Sequence, residues 1–285
     1  MARLFVNNLT VMDFSFLDVE RGLVGESWIV DVELIGDLDD QGMVFDFGDV
    51  KKQIKRFFDA QADHRLLVPV RSPGCRIQED NDRLSVEFPL NSGAIVSHQS
   101  PPDTVLLVDS QAIVPDQIAQ QLQRQLKTLL PGNVSNLFIG LRPEKIDGPY
   151  YHYTHGLQQH LGQCQRIAHG HRSRIEIYID DERSQQLEQH WASRLADSYI
   201  ATKSHVVEEL DCNGIPHTRL AYTAQQGEFA VSVPSSQVLL IPYVSTVENI
   251  ARYLAETIAQ QQSGQVTVRA FEGVEKGAVA EAGSD

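Results

Sequence analysis

Histidine is concentrated in one short stretch of this sequence. His155 is followed by Cys164 and then by His169-Gly170-His171. Residues two apart in a strand point to the same face, so His169 and His171 would present two imidazoles side by side. A third imidazole from a neighbouring strand would complete a set of three ligands with one open position, as in a catalytic zinc site. This stretch therefore predicts a zinc centre at His155, His169 and His171.

The same pattern has a plainer interpretation. A His-x-His pair by itself is more often surface or core histidine than a metal site. The third histidine in an adjacent predicted strand and the preceding Cys164 favour a metal. His152 and His160 lie close enough to be mistaken for the third ligand, and we interpret both as loop or surface residues.

The whole chain limits the classes of protein to which such a site could belong. It has 285 residues, of which 42% are hydrophobic and 22% charged, an ordinary globular composition. The net charge of −14 disfavours nucleic acid and anionic membranes as partners, because both need positive potential. We find no apolar run of the ~20 residues that span a bilayer, and we do not expect the first residues to act as a signal peptide. The three cysteines are too few for a disulfide framework and indicate a reducing cytoplasm.

Two halves of the chain echo one another. Residues 104–121 read TVLLVDSQAIVPDQIAQQ, and residues 237–253 read QVLLIPYVSTVENIARY. Each segment has a V-L-L strand, a short loop and a helix start. Such an internal repeat predicts one structural unit per half. We therefore predict two tandem modules, module 1 over residues 1–147 and module 2 over residues 148–285.

The hydrophobic periods predict an α+β fold. Segments such as SWIVDVELIG and RSRIEIYI alternate like half-buried strands. DFGDVKKQIKRFFDAQ opens on an aspartate cap and places Val50, Ile54, Phe57 and Phe58 on one helical face. We expect antiparallel sheets covered by helices on one face in each module.

The order H-x8-C-x4-H-G-H resembles the 6-pyruvoyltetrahydropterin synthase and 6-carboxytetrahydropterin synthase family, which has the tunnelling fold, or T-fold. The resemblance implies that His155, His169 and His171 bind Zn²⁺ and that Cys164 is the catalytic cysteine. It also implies modules that join into a barrel.

Module 2 carries further residues that are similar to this family. The segment STVENIARYL (245–254) resembles the family's helix start, where Thr246 and Glu248 are candidate substrate contacts. Glu248 would also suit the positive end of the helix dipole. Glu272 matches the family's pterin-anchoring glutamate, with Glu275 as a weaker competitor.

Module 1 resembles the same family through other residues. The segment GDLDDQGMVFDFGDVKKQI (36–54) is similar to the family's hairpin and helix, and Asp63-His64 matches its L-D-H-x-x-L motif. The resemblance implies that Asp63 and His64 work with the catalytic cysteine. Without it, the two residues would be interpreted as a solvated turn pair.

The two modules depart from the family pattern in complementary ways. Module 1 has Val24-Gly25-Glu26 in place of H-G-H, so it lacks the zinc ligands. Its pterin-glutamate position falls among residues 140–144, where Arg142 and Glu144 compete. Module 2 has Asp197-Ser198 in place of Asp-His. One complete site could therefore form between module 1 and module 2, while the other interface would be inactive.

The resemblance implies a lyase that acts on a pterin triphosphate, 7,8-dihydroneopterin triphosphate. Cleavage to 6-carboxytetrahydropterin, on the queuosine route, is the usual bacterial role and is our first interpretation. Elimination of triphosphate to 6-pyruvoyltetrahydropterin is the alternative, and a non-catalytic pterin- or metal-binding protein is a third.

The resemblance also implies a homo-oligomer. Six modules in two stacked rings would need three of these two-module chains, so we favour a trimer. A dimer or a tetramer of chains is geometrically open as well.

Overall fold

A computed structural model describes residues 1–283 of the chain. The fold is α+β, with strands in the majority and four α-helices among the described residues. The elements of module 1 are β1 (Ala2–Asp18), β2 (Gly22–Gly36), α1 (Phe47–Gln61), β3 (Leu66–Pro69), β4 (Arg76–Asp80), β5 (Arg83–Pro89), β6 (Ile95–Ser100), β7 (Val105–Val108), α2 (Pro115–Lys127) and β8 (Val134–Pro143).

Module 2 repeats this order of elements with two additional strands. Its elements are β9 (Tyr150–His155), β10 (His169–Ile179), β11 (Glu182–Arg183), α3 (Gln185–Leu195), β12 (Ser198–Thr202), β13 (Val206–Cys212), β14 (Ile215–Ala224), β15 (Gly227–Pro234), β16 (Val238–Ile241), α4 (Val247–Ala259), β17 (Val266–Phe271) and β18 (Gly277–Ala282). The predicted boundary at 147/148 lies between β8 and β9, and its exact position stays a prediction.

Each module builds a sheet with the same strand order. The order is β7-β3-β1-β2-β8 in module 1 and β16-β12-β9-β10-β17 in module 2, where β18 extends the edge and β11 pairs with β10. The tandem arrangement is therefore visible in the topology as well as in the sequence. The central pairs are antiparallel, whereas β3 and β12 run parallel to β1 and β9.

The first helix shows how the sequence positions the site. Asp46 caps α1 by accepting hydrogen bonds from the backbone N–H groups of Gly48 and Asp49. The predicted apolar face is confirmed, since the side chains of Val50, Ile54, Phe57 and Phe58 are buried. The helix ends at Gln61, and the chain then enters β3 beside β1. The turn between α1 and β3 carries Asp63 and His64.

A third sheet is shared between the modules. Its order is β13-β14-β15-β6-β5-β4, with three strands from each module. The join is the antiparallel pair β6 and β15, in which Gln99 faces Ala230 and Ser97 faces Ser232. The sequence pattern indicates these strands but does not reveal that they pair across the modules.

The two central hairpins, β1–β2 and β9–β10, contact each other at Gly25 and Gly170, where neither module has a side chain. A Cβ on Gly25 would lie 1.8 Å from the Tyr153 carbonyl oxygen, and one on Gly170 would lie 2.6 Å from the Gly25 Cα. Beside them, Ser15 Oγ and Thr154 Oγ1 are 2.9 Å apart in a buried hydrogen bond. The backbones of β2 and β10 can approach this closely only because both positions are glycine.

Three apolar cores hold these layers together. One lies between the first sheet and its helices, one between the second sheet and its helices, and one beneath the shared sheet. None of the helices in residues 1–283 is long and apolar enough to cross a membrane.

Candidate functional site

Three buried histidines of module 2 converge at the meeting point of the hairpins. His155 is the last residue of β9 and pairs with His169, the first residue of β10. His169 and His171 are two apart on β10. One ligand atom of each imidazole lies within 4.8 Å of the others. The structure therefore brings the three predicted metal ligands together.

The backbone fixes how two of these rings are oriented. His155 Nδ1 donates to the Ser245 carbonyl oxygen at 2.7 Å, and His169 Nδ1 donates to the Arg166 carbonyl oxygen at 2.8 Å. Because a carbonyl only accepts, each Nδ1 carries the proton and each Nε2 keeps a lone pair. His171 Nδ1 lies 3.3 Å from a carboxylate oxygen of Asp13.

The residues fit a zinc ion by distance and by protonation. His155 Nε2 and His171 Nε2 are 3.3 Å apart. Two ligands of a tetrahedral zinc, each at about 2.0–2.1 Å from the metal, stand roughly 3.3 Å apart. Burial, followed by the charge of His171, lowers the pKa of His155 to about 3. His155 and His169 direct their Nε2 lone pairs into the cluster, and such imidazoles are the donors that a divalent cation of this class requires.

Cys164 lies next to this cluster, in the loop between β9 and β10. Its carbonyl oxygen accepts from the Leu157 backbone N–H at 2.9 Å, which closes the loop. Its Sγ is 3.3 Å from His64 Nε2 of module 1. His64 Nδ1 is in turn 2.6 Å from Asp63 Oδ2. The structure thus joins a thiol, an imidazole and a carboxylate in one chain of contacts across the modules.

The environment of His64 favours its protonated form. Burial lowers its pKa, but the hydrogen bonds with Asp63 and with Cys164 outweigh this and raise the pKa to about 10. His64 also has a positive φ of 53°, and its backbone N–H donates to the Asp13 carbonyl oxygen at 2.6 Å. The imidazole is therefore held rigidly against the thiol.

The candidate substrate residues differ in their placement. Glu272 Oε1 lies 3.8 Å from His171 Nε2, whereas Glu275 is exposed and pairs with Arg174. Thr246 caps α4 by accepting from the Asn249 N–H. Glu248 is exposed in the first turn of the same helix. Of these four residues, Glu272 is the one in contact with the histidine cluster.

The strand registers identify the counterpart of this site in module 1. Gly25 pairs with Ser15 as Gly170 pairs with Thr154, which equates Phe16, Val24 and Glu26 with His155, His169 and His171. We call Phe16, Val24 and Glu26 the counterpart site.

The registers also resolve what stands at the pterin-glutamate position of module 1. Leu141 pairs with Val30 as Ala270 pairs with Ile175, so the residue equivalent to Glu272 is Pro143. Neither Arg142 nor Glu144 occupies the position, and the counterpart site has no carboxylate there.

One sequence alignment needs correction. Leu66 pairs with Ser15 as Tyr199 pairs with Thr154, and His64 and Asp197 share a positive φ. The equivalent of Asp63-His64 in module 2 is therefore Ala196-Asp197, one residue earlier than the sequence predicted. A two-residue motif gives no register by itself, whereas strand pairing does.

Within residues 1–283, no group of converging metal donors lies at the counterpart site. Asp197 receives a hydrogen bond from Arg21 Nε at 2.9 Å, so an ion pair stands where the other side has His64 and Cys164. Glu26 Oε2 lies 3.8 Å from His152 Nδ1. His152 itself is part of β9, and its Nδ1 contacts the Gly25 carbonyl oxygen at 2.7 Å, so our interpretation of it as a loop or surface residue is wrong.

Sequence reasoning missed several residues at the site. Asp13 is buried between the modules and contacts His171. The hydroxyls of Tyr151, Tyr153 and Ser245 are buried without hydrogen-bond partners among the described residues. The available signal for Asp13 was an acid inside the apolar run TVMDFSF of a predicted strand.

Comparisons with known proteins identify a matching family. The model of a protein family described as 6-pyruvoyl tetrahydropterin synthase matches residues 20–89 and 149–282. We find no curated protein that matches the chain.

Among solved structures, 6-pyruvoyl tetrahydropterin synthase from Plasmodium vivax is 20% identical, with a TM-score of 0.38, over 50% of this chain and 97% of that one. The enzyme from Plasmodium falciparum is 16% identical, with a TM-score of 0.38 and the same coverage.

Proposed function

Because the chain belongs to the 6-pyruvoyl tetrahydropterin synthase family, we propose that it is a zinc-dependent lyase acting on 7,8-dihydroneopterin triphosphate. The observation that carries the proposal is the contact across the modules. Three histidines of module 2 converge next to Cys164, and Cys164 touches the Asp63-His64 pair of module 1. The parts that each module lacks are supplied by the other.

His155, His169 and His171 would hold the metal through their Nε2 atoms. Bound zinc supplies a Lewis acid that polarises the oxygens of the substrate side chain. The Nδ1 contacts with Ser245, Arg166 and Asp13 keep the rings in place for this role.

Cys164, His64 and Asp63 would move the protons. At neutral pH the raised pKa of His64 keeps its imidazole charged, and this cation lies 3.3 Å from Cys164 Sγ. Cys164 is proposed as the base for a side-chain carbon proton. Asp63 orients His64, and His64 is the second proton carrier.

Glu272 would anchor the pterin. A carboxylate accepts two parallel hydrogen bonds from the amino and ring N–H groups of a pterin. Its position 3.8 Å from His171 would put the pterin side chain next to the metal ligands. Thr246 and Glu248 at the start of α4 are proposed as further substrate contacts. The side chain of Glu248 is exposed and would contact the substrate from the solvent side.

We propose 6-carboxytetrahydropterin as the product. Elimination to 6-pyruvoyltetrahydropterin is the second candidate, favoured by the description of the matching family. Both reactions use the same metal and proton carriers, so the residues of the site support both.

The decisive experiment identifies the products. Purified, zinc-loaded protein is incubated with 7,8-dihydroneopterin triphosphate, and the products are separated by chromatography and identified by mass spectrometry. We expect 6-carboxytetrahydropterin, acetaldehyde and triphosphate. 6-Pyruvoyltetrahydropterin and triphosphate without acetaldehyde would establish the second candidate. No turnover with a full complement of zinc would overturn both in favour of a binding protein.

We also propose that three chains assemble into two stacked rings, in the cytoplasm. The three free cysteines support a reducing compartment. Native mass spectrometry would count the chains, and a dimer or tetramer would contradict the trimer.

A further inference from the structure

Asp13 is a buried carboxylate at the contact between the modules. It lies on β1 of module 1, and its side chain is only 3% exposed. Ser27 Oγ donates to Asp13 Oδ1 at 2.5 Å, and Lys276 Nζ donates to Asp13 Oδ2 at 2.9 Å. His171 Nδ1 lies 3.3 Å from Asp13 Oδ1. Both oxygens are therefore engaged, and one of them faces a metal ligand of the other module.

The surroundings leave room for a carboxylate at this position. A Cβ on Gly273 would stand 2.6 Å from Asp13 Oδ1 and 2.9 Å from Ser27 Oγ. The loop after β17 can close over Asp13 only because this residue is glycine. Gly273 has a φ of +72°, a conformation that glycine adopts without strain.

The main chain of Asp13 reaches the proton carriers. Its N–H donates to Asp63 Oδ1 at 2.8 Å, and its carbonyl oxygen accepts from the His64 N–H at 2.6 Å. One residue of module 1 thus contacts the metal cluster through its side chain and the Asp63-His64 pair through its backbone.

We propose that Asp13 is a positioning residue that completes the metal site of module 2 from module 1. This inference rests on the proposed function, because it takes His171 to be a metal ligand. The carboxylate holds the proton of His171 on Nδ1 and leaves the lone pair on Nε2. His171 Nδ1 is buried and makes no hydrogen bond of standard geometry within residues 1–283, and the Asp13 carboxylate oxygen at 3.3 Å is the acceptor placed to take its proton.

The physical basis is the outer contact of a metal-binding histidine. A carboxylate that accepts from the second ring nitrogen fixes the tautomer and orientation of the ring and raises the basicity of the ligand. His155 and His169 receive this support from carbonyls of their own module. His171 is the one ligand of the three that depends on the other module.

The counterpart site provides a matched control. Glu26 of module 1 faces His152 of module 2 at 3.8 Å. As in the pair of Asp13 and His171, module 1 contributes the acid and module 2 the imidazole. Both acids are buried at the interface. Of these two acids, Asp13 faces one of the proposed metal ligands, His171, and Glu26 does not.

The test measures zinc affinity by competition with a chromogenic chelator, on the full chain. We expect Asp13→Asn to weaken zinc binding about 10–100-fold. The visible bands of the Co²⁺-substituted protein should shift, because the donor strength of His171 changes. Glu26→Gln should keep zinc affinity within about twofold of that of the unsubstituted protein and leave the Co²⁺ bands in place, because Glu26 contacts none of the proposed metal ligands.

A second pair of variants separates this role from folding. Asp13→Asn leaves Lys276 without its partner, so Asp13→Asn/Lys276→Met is compared with Lys276→Met alone. Lys276→Met should keep zinc affinity, and the double variant should lose it to the same extent as Asp13→Asn. Circular dichroism of each metal-free protein shows whether it is folded.

Two outcomes overturn the inference. One is unchanged zinc affinity and an unchanged Co²⁺ spectrum in folded Asp13→Asn. The other is an equal loss of affinity in Glu26→Gln. Failure of the proposed function is distinct, because it would appear as an absence of zinc binding or turnover in the unsubstituted protein.

Discussion

Cys164 and its partners are the residues on which the proposed chemistry depends. The thiol touches His64 and lies outside the group His155, His169 and His171, although its Sγ also converges with donor atoms of His64 and His169. We therefore expect Cys164→Ala to lose at least about 10³-fold in turnover, by loss of a proton carrier, while zinc content stays at one per chain. Turnover and metal content by plasma emission would be measured on the same sample. Loss of zinc would make Cys164 a ligand and contradict its assignment.

Glu26 gives the protein a pH dependence of stability. Burial raises the pKa of this carboxyl from 4.5 to about 7 in the folded chain. The folded state therefore holds a proton that the unfolded chain releases, so stability falls as the pH rises from about 4.5 to about 7. Glu26→Gln removes this loss.

The expected gain follows from the size of the shift. The change in the free energy of unfolding caused by Glu26→Gln should be roughly 2–3 kcal/mol more stabilising at pH 8 than at pH 5. This figure follows from about 1.4 kcal/mol for each pKa unit. Urea unfolding at both pH values would measure it. Glu228→Gln, at an exposed position, is the control. A difference that does not change with pH would contradict the buried placement of Glu26.

At the scale of elements, the crossing of β2 and β10 makes one glycine irreplaceable. A Cβ on Gly25 would lie 1.8 Å from the Tyr153 carbonyl oxygen and 2.6 Å from the His171 nitrogen. Gly25→Ala must push the hairpins apart, so we expect a loss of more than about 3 kcal/mol of stability.

A second glycine of the same sheet is the control for this prediction. In β8, a Cβ on Gly140 would meet nothing closer than 3.6 Å. Gly140→Ala should therefore fold normally. The two melting temperatures, measured by differential scanning calorimetry, give the comparison. If both variants melt alike, the close approach of the hairpins is not as described.

The elements also show what a sequence can and cannot predict. The cap at Asp46, the apolar face of α1 and the α+β plan follow from local patterns, and the structure confirms them. The pairing of β6 with β15, the place of Asp13 and the register of Asp197 depend on residues far apart in the chain. Local periodicity carries no information about such partners, because a strand pattern does not specify its neighbour.

The spacing of site residues lies between these cases. The histidine cluster was predictable because His169 and His171 share one strand face and His155 ends the neighbouring strand. The contact between His64 and Cys164, 100 positions apart, could be expected only through a family resemblance. No local rule connects two such turns.

At the scale of the whole molecule, the contacts of the site lie within one chain. His64 and Cys164 touch inside a single copy, although they come from different modules. Mixed oligomers of a Cys164→Ala chain and a His64→Ala chain should therefore show no more turnover than either variant alone. Co-expression with two different tags and tandem purification would provide the mixed protein.

A control confirms that mixing does not itself inactivate. Oligomers that mix unsubstituted chains with His64→Ala/Cys164→Ala chains should retain turnover in proportion to their content of unsubstituted chains. Recovery of turnover in the complementary mixture would place the functional contact between chains instead.

The shared six-stranded sheet has a consequence for how the chain is made. During synthesis β6, at residues 95–100, leaves the ribosome long before β15, at residues 227–234, exists. Until then one edge of β6 has no partner, and an unpaired strand edge is a template for aggregation. The nascent first half must therefore pass through a vulnerable interval, which ends only when the second half closes the sheet.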